Sequence, residues 1–323
     1  MIPKLITHLF RFLVGITFIF SGFVKLVDPI GSAYKFEEYF GEDVLNLEFL
    51  IPYALPFSIL LIIAEITLGV MLLVGYKSKF TVRSLFVLTL VFLFLTWYSA
   101  YYNKVTDCGC FGDAVKLSTW GTFYKNVMLI IMIGFLLFQV KNIKSLFSEK
   151  ITKTVTYVSI FVFFYITYHV LTHLPIIDFR PYAVGKNIKE GMQFVPGSTE
   201  LPPVHDFSLE SADEDLTEAL LSKEKVMLIV VYDLEKADKK GFPPIKKITD
   251  KAIIKGYTVY GVSSSFEDDL VLAQNQYNLP FSFLFCDATT IKTMIRANPG
   301  IIILDKGTVT GKWNWTDVNK IEL

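Results

Sequence analysis

Five stretches, residues 5–26, 54–75, 80–100, 120–140 and 155–174, are each apolar over about 20 residues, long enough to cross a bilayer core as a helix. Within lipid a chain must satisfy its own backbone polar groups, so runs of this kind commit the first half to a helical bundle. The 52% hydrophobic and 19% charged content follows from these spans and excludes intrinsic disorder. The 29 phenylalanines suit a lipid-facing surface. Lys+Arg and Asp+Glu are equal at 31 each, so no basic excess points to nucleic acid, and no nucleic-acid-binding motif is present. The first span lacks a small-residue cleavage pattern and carries Arg11 and Lys25, so it reads as a retained anchor rather than a signal peptide.

Basic residues set the direction of insertion. Lys4 and Arg11, then Lys77, Lys79 and Arg83, then Lys141, Lys144, Lys150 and Lys153 mark three cytoplasmic segments. The first loop carries Asp28, Glu37, Glu38, Glu42 and Asp43 and is expected outside, together with the loop around residues 108–110. Five spans then put the N-terminus in the cytoplasm and everything after residue 174 outside it. A multi-pass membrane protein with an extracytoplasmic C-terminal domain is the expected arrangement.

The composition changes near residue 175. Residues 178–215 read as a polar, Pro-containing linker without periodicity. Apolar runs at 226–232, 257–262 and 281–285 read as strands, and 244–254, 267–277 and 289–296 as helices. Residues 300–304 and 308–313 form a hairpin around Asp305-Lys306-Gly307, and 316–322 form a last helix. This α/β order, ending in an antiparallel hairpin and a helix, resembles a thioredoxin-like domain over 216–323. Asn298-Pro299 stands where that fold keeps a cis-proline. The C-x-x-C of a thioredoxin is missing: the corresponding stretch is Asp233-Leu234-Glu235-Lys236-Ala237-Asp238, so dithiol exchange is not expected there. Cys286 follows the third strand, and reads as a small buried residue or as a partner for another thiol.

The loop between the third and fourth spans reads Asp107-Cys108-Gly109-Cys110-Phe111-Gly112-Asp113. Two cysteines at this spacing can form a small, strained and oxidising disulfide, and Gly109 permits the tight turn. Free thiols remain an alternative. A metal is a further one, although two cysteines fall short of the four ligands of a structural zinc site.

These residues, with Ser21 to Pro29 (SGFVKLVDP), Ala64-Glu65 and Lys125-Asn126, carry a resemblance to DoxX/MauE-type membrane proteins over about 140 residues. The resemblance implies a four-helix membrane domain over 1–145, followed by a fifth transmembrane helix at 146–177. It also implies envelope redox chemistry, beside quinone-linked enzymes or in disulfide maturation of a partner enzyme. The layout with a thioredoxin-like tail resembles proteins of Bacteroidetes-type bacteria, which implies a bacterial inner membrane, with the N-terminus cytoplasmic and the C-terminal domain periplasmic.

Read physically, Glu65 lies about 16 Å and Lys125 about 9 Å below the ends of their spans. A charge at such depth costs about 2.5–3.5 kcal/mol on insertion scales, so Glu65 must be neutralised or paired. Lys125 is its expected partner, with Lys25 snorkelling toward the surface. This pair either locks the bundle or lines a polar cavity beneath the cysteine loop, where cations favour thiolate at Cys108 or Cys110. Lys25, Glu65, Lys125 and Asn126 are the candidate cofactor-binding residues, for a quinone headgroup or an anionic lipid. His169 and His173 share a helical face and suit the bilayer interface better than a metal, for want of further ligands.

Two functions follow. One is a thiol/disulfide or quinone-linked electron relay through catalytic Cys108 and Cys110, with the tail binding an extracytoplasmic protein client. The other is a non-enzymatic assembly or scaffold subunit of an envelope complex. The orientation is checked by an impermeant thiol reagent on whole cells, which is expected to reach reduced Cys108 or Cys110; labelling only after lysis would invert the topology.

Overall fold

The computed structural model describes residues 2–104, 109, 111–115, 117–194 and 201–323. The chain divides into two compact units, Met1–Leu171 and Thr172–Leu323. Among the described residues five helices are long and apolar enough to cross a membrane, which makes this a multi-pass membrane protein. In order the helices of the first unit are α1 (Ile2–Val27), α2 (Pro29–Phe40), α3 (Ala54–Val74), α4 (Ser78–Tyr102), α5 (Thr119–Phe138) and α6 (Glu149–Thr172). The apolar windows mark α1 and α3–α6 because a span needs length. They do not mark α2, which replaces part of the expected acidic loop. Its start is nonetheless encoded: the Asp28 side chain accepts from Gly31 N at 3.0 Å, and Pro29 occupies the first turn. Ala33, Tyr39 and Phe40 form its buried side.

Helices α1 and α3 run antiparallel at close range. A Cβ at Gly22 would lie 2.7 Å from Ile66 Cβ and 3.0 Å from Ile66 N, and one at Gly69 would lie 2.9 Å from Ile19 Cγ1. Only glycine permits such an approach, and without a hydrophobic drive between helices in lipid, close packing is what joins them. At the far end of the pair Arg11 is buried and donates to Leu72 O (2.8 Å), Leu73 O (2.6 Å) and Lys144 O (2.9 Å). Those carbonyls of α3 lie in its last turn and have no partner within the helix, so Arg11 acts as its cap. Polar bonds also cross between other helices: Tyr39 of α2 with Ser99 of α4 at 3.0 Å, and Asn126 of α5 with Thr96 of α4 at 3.1 Å.

The second unit carries short helices α7 (Ile188–Gly191) and α8 (Thr217–Leu221), then strands and helices β1 (Val226–Val231), α9 (Phe242–Ile254), β2 (Thr258–Ser263), α10 (Glu267–Tyr277), β3 (Phe283–Phe285), α11 (Ala288–Met294), β4 (Gly300–Asp305) and β5 (Thr308–Asn314). The described residues form one five-stranded sheet of order β3-β2-β1-β4-β5. Strands β1, β2 and β3 are parallel, while β4 and β5 are antiparallel to their neighbours. β1 is central and buried on both faces, hence its uninterrupted apolar run. Leu228 and Val230 serve the core on one face, and Met227, Ile229 and Val231 the core on the other. The hairpin turns through Lys306 and Gly307, both at positive φ. The last segment is a 3-10 helix, Trp315–Lys320. Within 178–215, Ile188, Val204, Phe207 and Leu209 are buried in the first of these cores, although their irregular spacing gives no periodic signal.

The start of this unit is fastened by charge. The Asp178 carboxylate accepts from Arg180 Nε at 2.7 Å and from Lys312 Nζ of β5 at 2.6 Å. Burial works against this carboxylate, but the two cations outweigh it and hold its pKa below the usual range. Burial and the nearby Arg180 push the Lys312 ammonium down to about 8, with Asp178 pulling the other way.

The α1–α3 approach is tested by Gly22→Ala, which is expected to lose about 1–3 kcal/mol by overpacking against the Ile66 backbone. Gly134→Ala on α5, where no heavy atom lies within 4 Å, is the control and should not destabilise. Unfolding of the detergent-solubilised chain reads both.

Candidate functional site

The packing register of α1 on α3 decides which charges meet. With Gly22 opposite Ile66 and Ile19 opposite Gly69, Lys25 stands about level with Ile63, two residues or about 3 Å along the axis from Glu65. Lys25 Nζ accordingly pairs with Glu65 Oε2 at 2.5 Å, and both side chains are buried. This corrects the expected Glu65–Lys125 pair and the expected snorkelling of Lys25. Depth counted from helix ends assumes that neighbouring spans start level. Here α1 ends well inside the span of α3, and the difference is filled by α2 lying against α3.

Lys125 instead sits over the ring of Phe111, with Nζ 4.4 Å from its centroid, a cation–π arrangement. The same ring lies 5.5 Å from that of Phe20 on α1. Asn126 is buried and donates to Thr96 Oγ1. Lys25, Glu65, Lys125 and Asn126 do converge, together with Ser21 and Phe92, on one small pocket between α1, α3, α4 and α5.

A second, larger cavity, open to its surroundings, adjoins it through Lys25 and Phe92. Helix α2 supplies Lys35, Phe36 and Tyr39 to its wall, and Gly109 lies on its rim. Gly109 adopts φ +63°, and a Cβ there would lie 3.0 Å from Lys35 Cγ. Lys35 is paired with Glu38 at 2.9 Å. Cys108 and Cys110 lie outside the described residues; Gly109, between them in sequence, is described. Lys35 and Tyr39 were not singled out from the sequence, because nothing marked α2 as a cavity wall. The Asp28-Pro29 cap was the available signal.

Residues 3–139 match the family described as methylamine utilisation protein MauE. That segment is similar to the MauE family. The match takes in α1 to α5 and therefore every residue of both pockets. No curated protein and no solved structure matches the chain. The second unit, a mixed α/β domain, lies outside the MauE-family segment.

In the second unit, the stretch between β1 and α9 is tied to Asn298. Asn298 Nδ2 donates to Asp233 O at 2.6 Å, and Asp238 N donates to Asn298 O at 3.0 Å. The Asn298-Pro299 peptide is cis. Cys286 is fully buried, and that burial pushes its thiol up to about 12, so it stays protonated and unreactive in the fold. His173 bonds to Asp317 Oδ2 at 2.8 Å. Burial opposes the Asp317 carboxylate, but Lys320 and His173 keep its pKa below the usual range.

The Lys25–Glu65 pair makes a direct prediction. Lys25→Met or Glu65→Gln alone leaves one buried group without its partner and is expected to cost about 3–5 kcal/mol. The double variant should recover most of that loss. Thermal unfolding in detergent of the two single variants and the double variant measures the coupling.

Proposed function

We propose that the protein is a redox-associated membrane protein whose Cys108–Cys110 loop exchanges disulfides with a thiol partner outside the cytoplasm. The observation that carries this reading is the seat of Gly109: it packs on Lys35 at the rim of a cavity that reaches the Lys25–Glu65 pair. Ammonium groups near the loop would favour the thiolate form of its sulfurs, which makes them good leaving groups when the disulfide is attacked. In the exchange a client thiolate attacks one sulfur of the oxidised pair and forms a mixed disulfide. The client's second thiolate then resolves it. The client leaves with a disulfide, and Cys108 and Cys110 leave as thiols. The MauE family match supports a redox association, and the N-in, C-out orientation expected from the basic residues supports access of the loop to extracytoplasmic clients.

In this reading the second unit is a thioredoxin-like domain that binds clients without dithiol chemistry of its own. Its β3-β2-β1-β4-β5 order, the helix after β1 and the Asn298-Pro299 turn ahead of β4 support that reading. Asp233 to Asp238 contain no cysteine, and Cys286 is inert, which favours docking over catalysis. The same observation favours a second reading, in which the whole chain is a non-catalytic assembly subunit of an envelope complex.

Trapping thiols in cells with a mass tag separates the two. On the redox reading Cys108 and Cys110 shift between reduced and oxidised forms as client load changes, and Cys108→Ser/Cys110→Ser abolishes function. A double variant with full function, together with a static redox state, would leave the assembly subunit.

A further inference from the structure

The chain leaves its last membrane span without becoming polar. No Asp, Glu, Lys or Arg stands between Lys153 and Asp178, so the uncharged run of α6 continues past Thr172 to Ile177. Tyr165 and Tyr168 are exposed on the last turns of α6, and tyrosine collects where a span meets the headgroups. Beyond the helix the second unit holds this stretch at two places. Upstream, Thr316 Oγ1 donates to Thr172 O at 2.8 Å, and Asn314 Nδ2 donates to His173 O at 3.0 Å. Downstream, Asp178 is paired with Arg180 and Lys312, and Arg180 Nη1 donates to Thr293 O at 3.2 Å. Between the two fasteners Leu174 packs on the core of the unit. Ile176 is left 59% exposed and Ile177 41%. Phe179, also 41% exposed, faces out between the inward-turned Asp178 and Arg180. A run of exposed apolar side chains fastened on both sides is a preformed surface, whereas a slack linker would carry no fixed face.

Its place in the chain says what covers it. Thr172 closes α6, a helix that crosses the bilayer, so the side chains that bind the Thr172 and His173 carbonyls stand at the membrane surface. Ile176 follows the helix so closely that even a fully extended chain carries it no more than about 14 Å. The fasteners fold that chain back, which keeps it near a headgroup layer about 5–7 Å deep. We propose that Ile176, Ile177 and Phe179 form an apolar foot of the second unit, set into the headgroup layer at which α6 ends. Burial of apolar surface supplies the attraction, so no particular headgroup charge is required. The foot also orients the sheet. β5 ends at Asn314, opposite Gly300 at the start of β4, and the same Gly300 lies opposite Val230 near the end of β1. The tether therefore meets the sheet at the end from which Asp233 to Asp238 leave β1, beside the Asn298-Pro299 turn. That end is held toward the bilayer. The other end, where Thr258 of β2 pairs with Val226 of β1 and the exposed Ile254 precedes β2, is held away from it. The proposal does not rest on the redox reading; where that reading holds, a client bound beside Asn298-Pro299 is kept at the membrane surface.

The test uses the full chain with Cys108→Ser/Cys110→Ser in nanodiscs of phosphatidylcholine; the buried Cys286 takes no label. Ile176→Cys, Phe179→Cys, Glu235→Cys and Ile254→Cys are made one at a time and labelled with a polarity-sensitive fluorophore. Two quenchers read position: a lipid with a nitroxide on its headgroup, and iodide in the water. At 176 and 179 the emission should shift to the blue, and quenching by the lipid nitroxide should exceed that at 254 several-fold. At 254 iodide should be the stronger quencher. The probe at Glu235 should also feel the lipid nitroxide more than the probe at 254. Ile176→Ser/Ile177→Ser/Phe179→Ser should lose that difference while the thermal unfolding of the chain stays unchanged. Iodide reaching 176 and 179 as freely as 254 overturns the proposal, because the segment then lies in water. Shielding of both positions from iodide and from lipid nitroxide alike overturns it too, because protein then covers them, from a second copy or elsewhere in the chain. A serine variant whose probe at Glu235 stays as close to lipid as before overturns the orienting role of the foot.

Discussion

The bundle depends on how closely α1 can approach α3. Gly22 and Gly69 remove the side chains that would hold the two backbones apart, and the contact they allow fixes an antiparallel register. The register brings Lys25 to Glu65, and that pair makes two buried charges tolerable in a lipid-facing protein. The same register ends α1 deep within the span of α3, which leaves room for α2 and so for the cavity whose wall it forms. A change in one glycine therefore reaches the chemistry of the cavity through geometry alone.

Much of this fold was legible in the sequence, for physical reasons that differ by element. The five spans were visible because bilayer thickness sets a minimum length for apolar helices. Strand β1 was visible because a central strand buried on both faces cannot alternate. The hairpin was visible because its turn needs residues that accept positive φ. Helix α2 was hidden because it is short and carries Lys35, Glu37 and Glu38 among its apolar positions. Val204, Phe207 and Leu209 were hidden because residues that cover a core without belonging to a regular element show no period, and Ile188 because its helix is a single turn.

The candidate site was legible in part. The need for a partner at Glu65 was readable, since a carboxylate within an apolar span must be neutralised or paired. The partner was wrong, since pairing depends on the offset between helices, and depth counted along each span does not contain that offset. Lys125 found an aromatic ring where a carboxylate had been expected, which is an equally good environment for an ammonium that is only half-buried. Arg11 shows the same limit from another side. In sequence it is an orientation signal, whereas in the fold it also holds the last carbonyls of α3 and the backbone of Lys144.

The inertness of Cys286 has a practical side. Its sulfur is sealed in the core of the second unit and its thiol is held protonated, so it meets no reagent while that core is intact. Any modification of it reports an opening event, and its rate of reaction is a clock for how often the sheet breathes. With the other two cysteines of the chain replaced, the protein carries a native single-site probe of local unfolding in the unit that holds it.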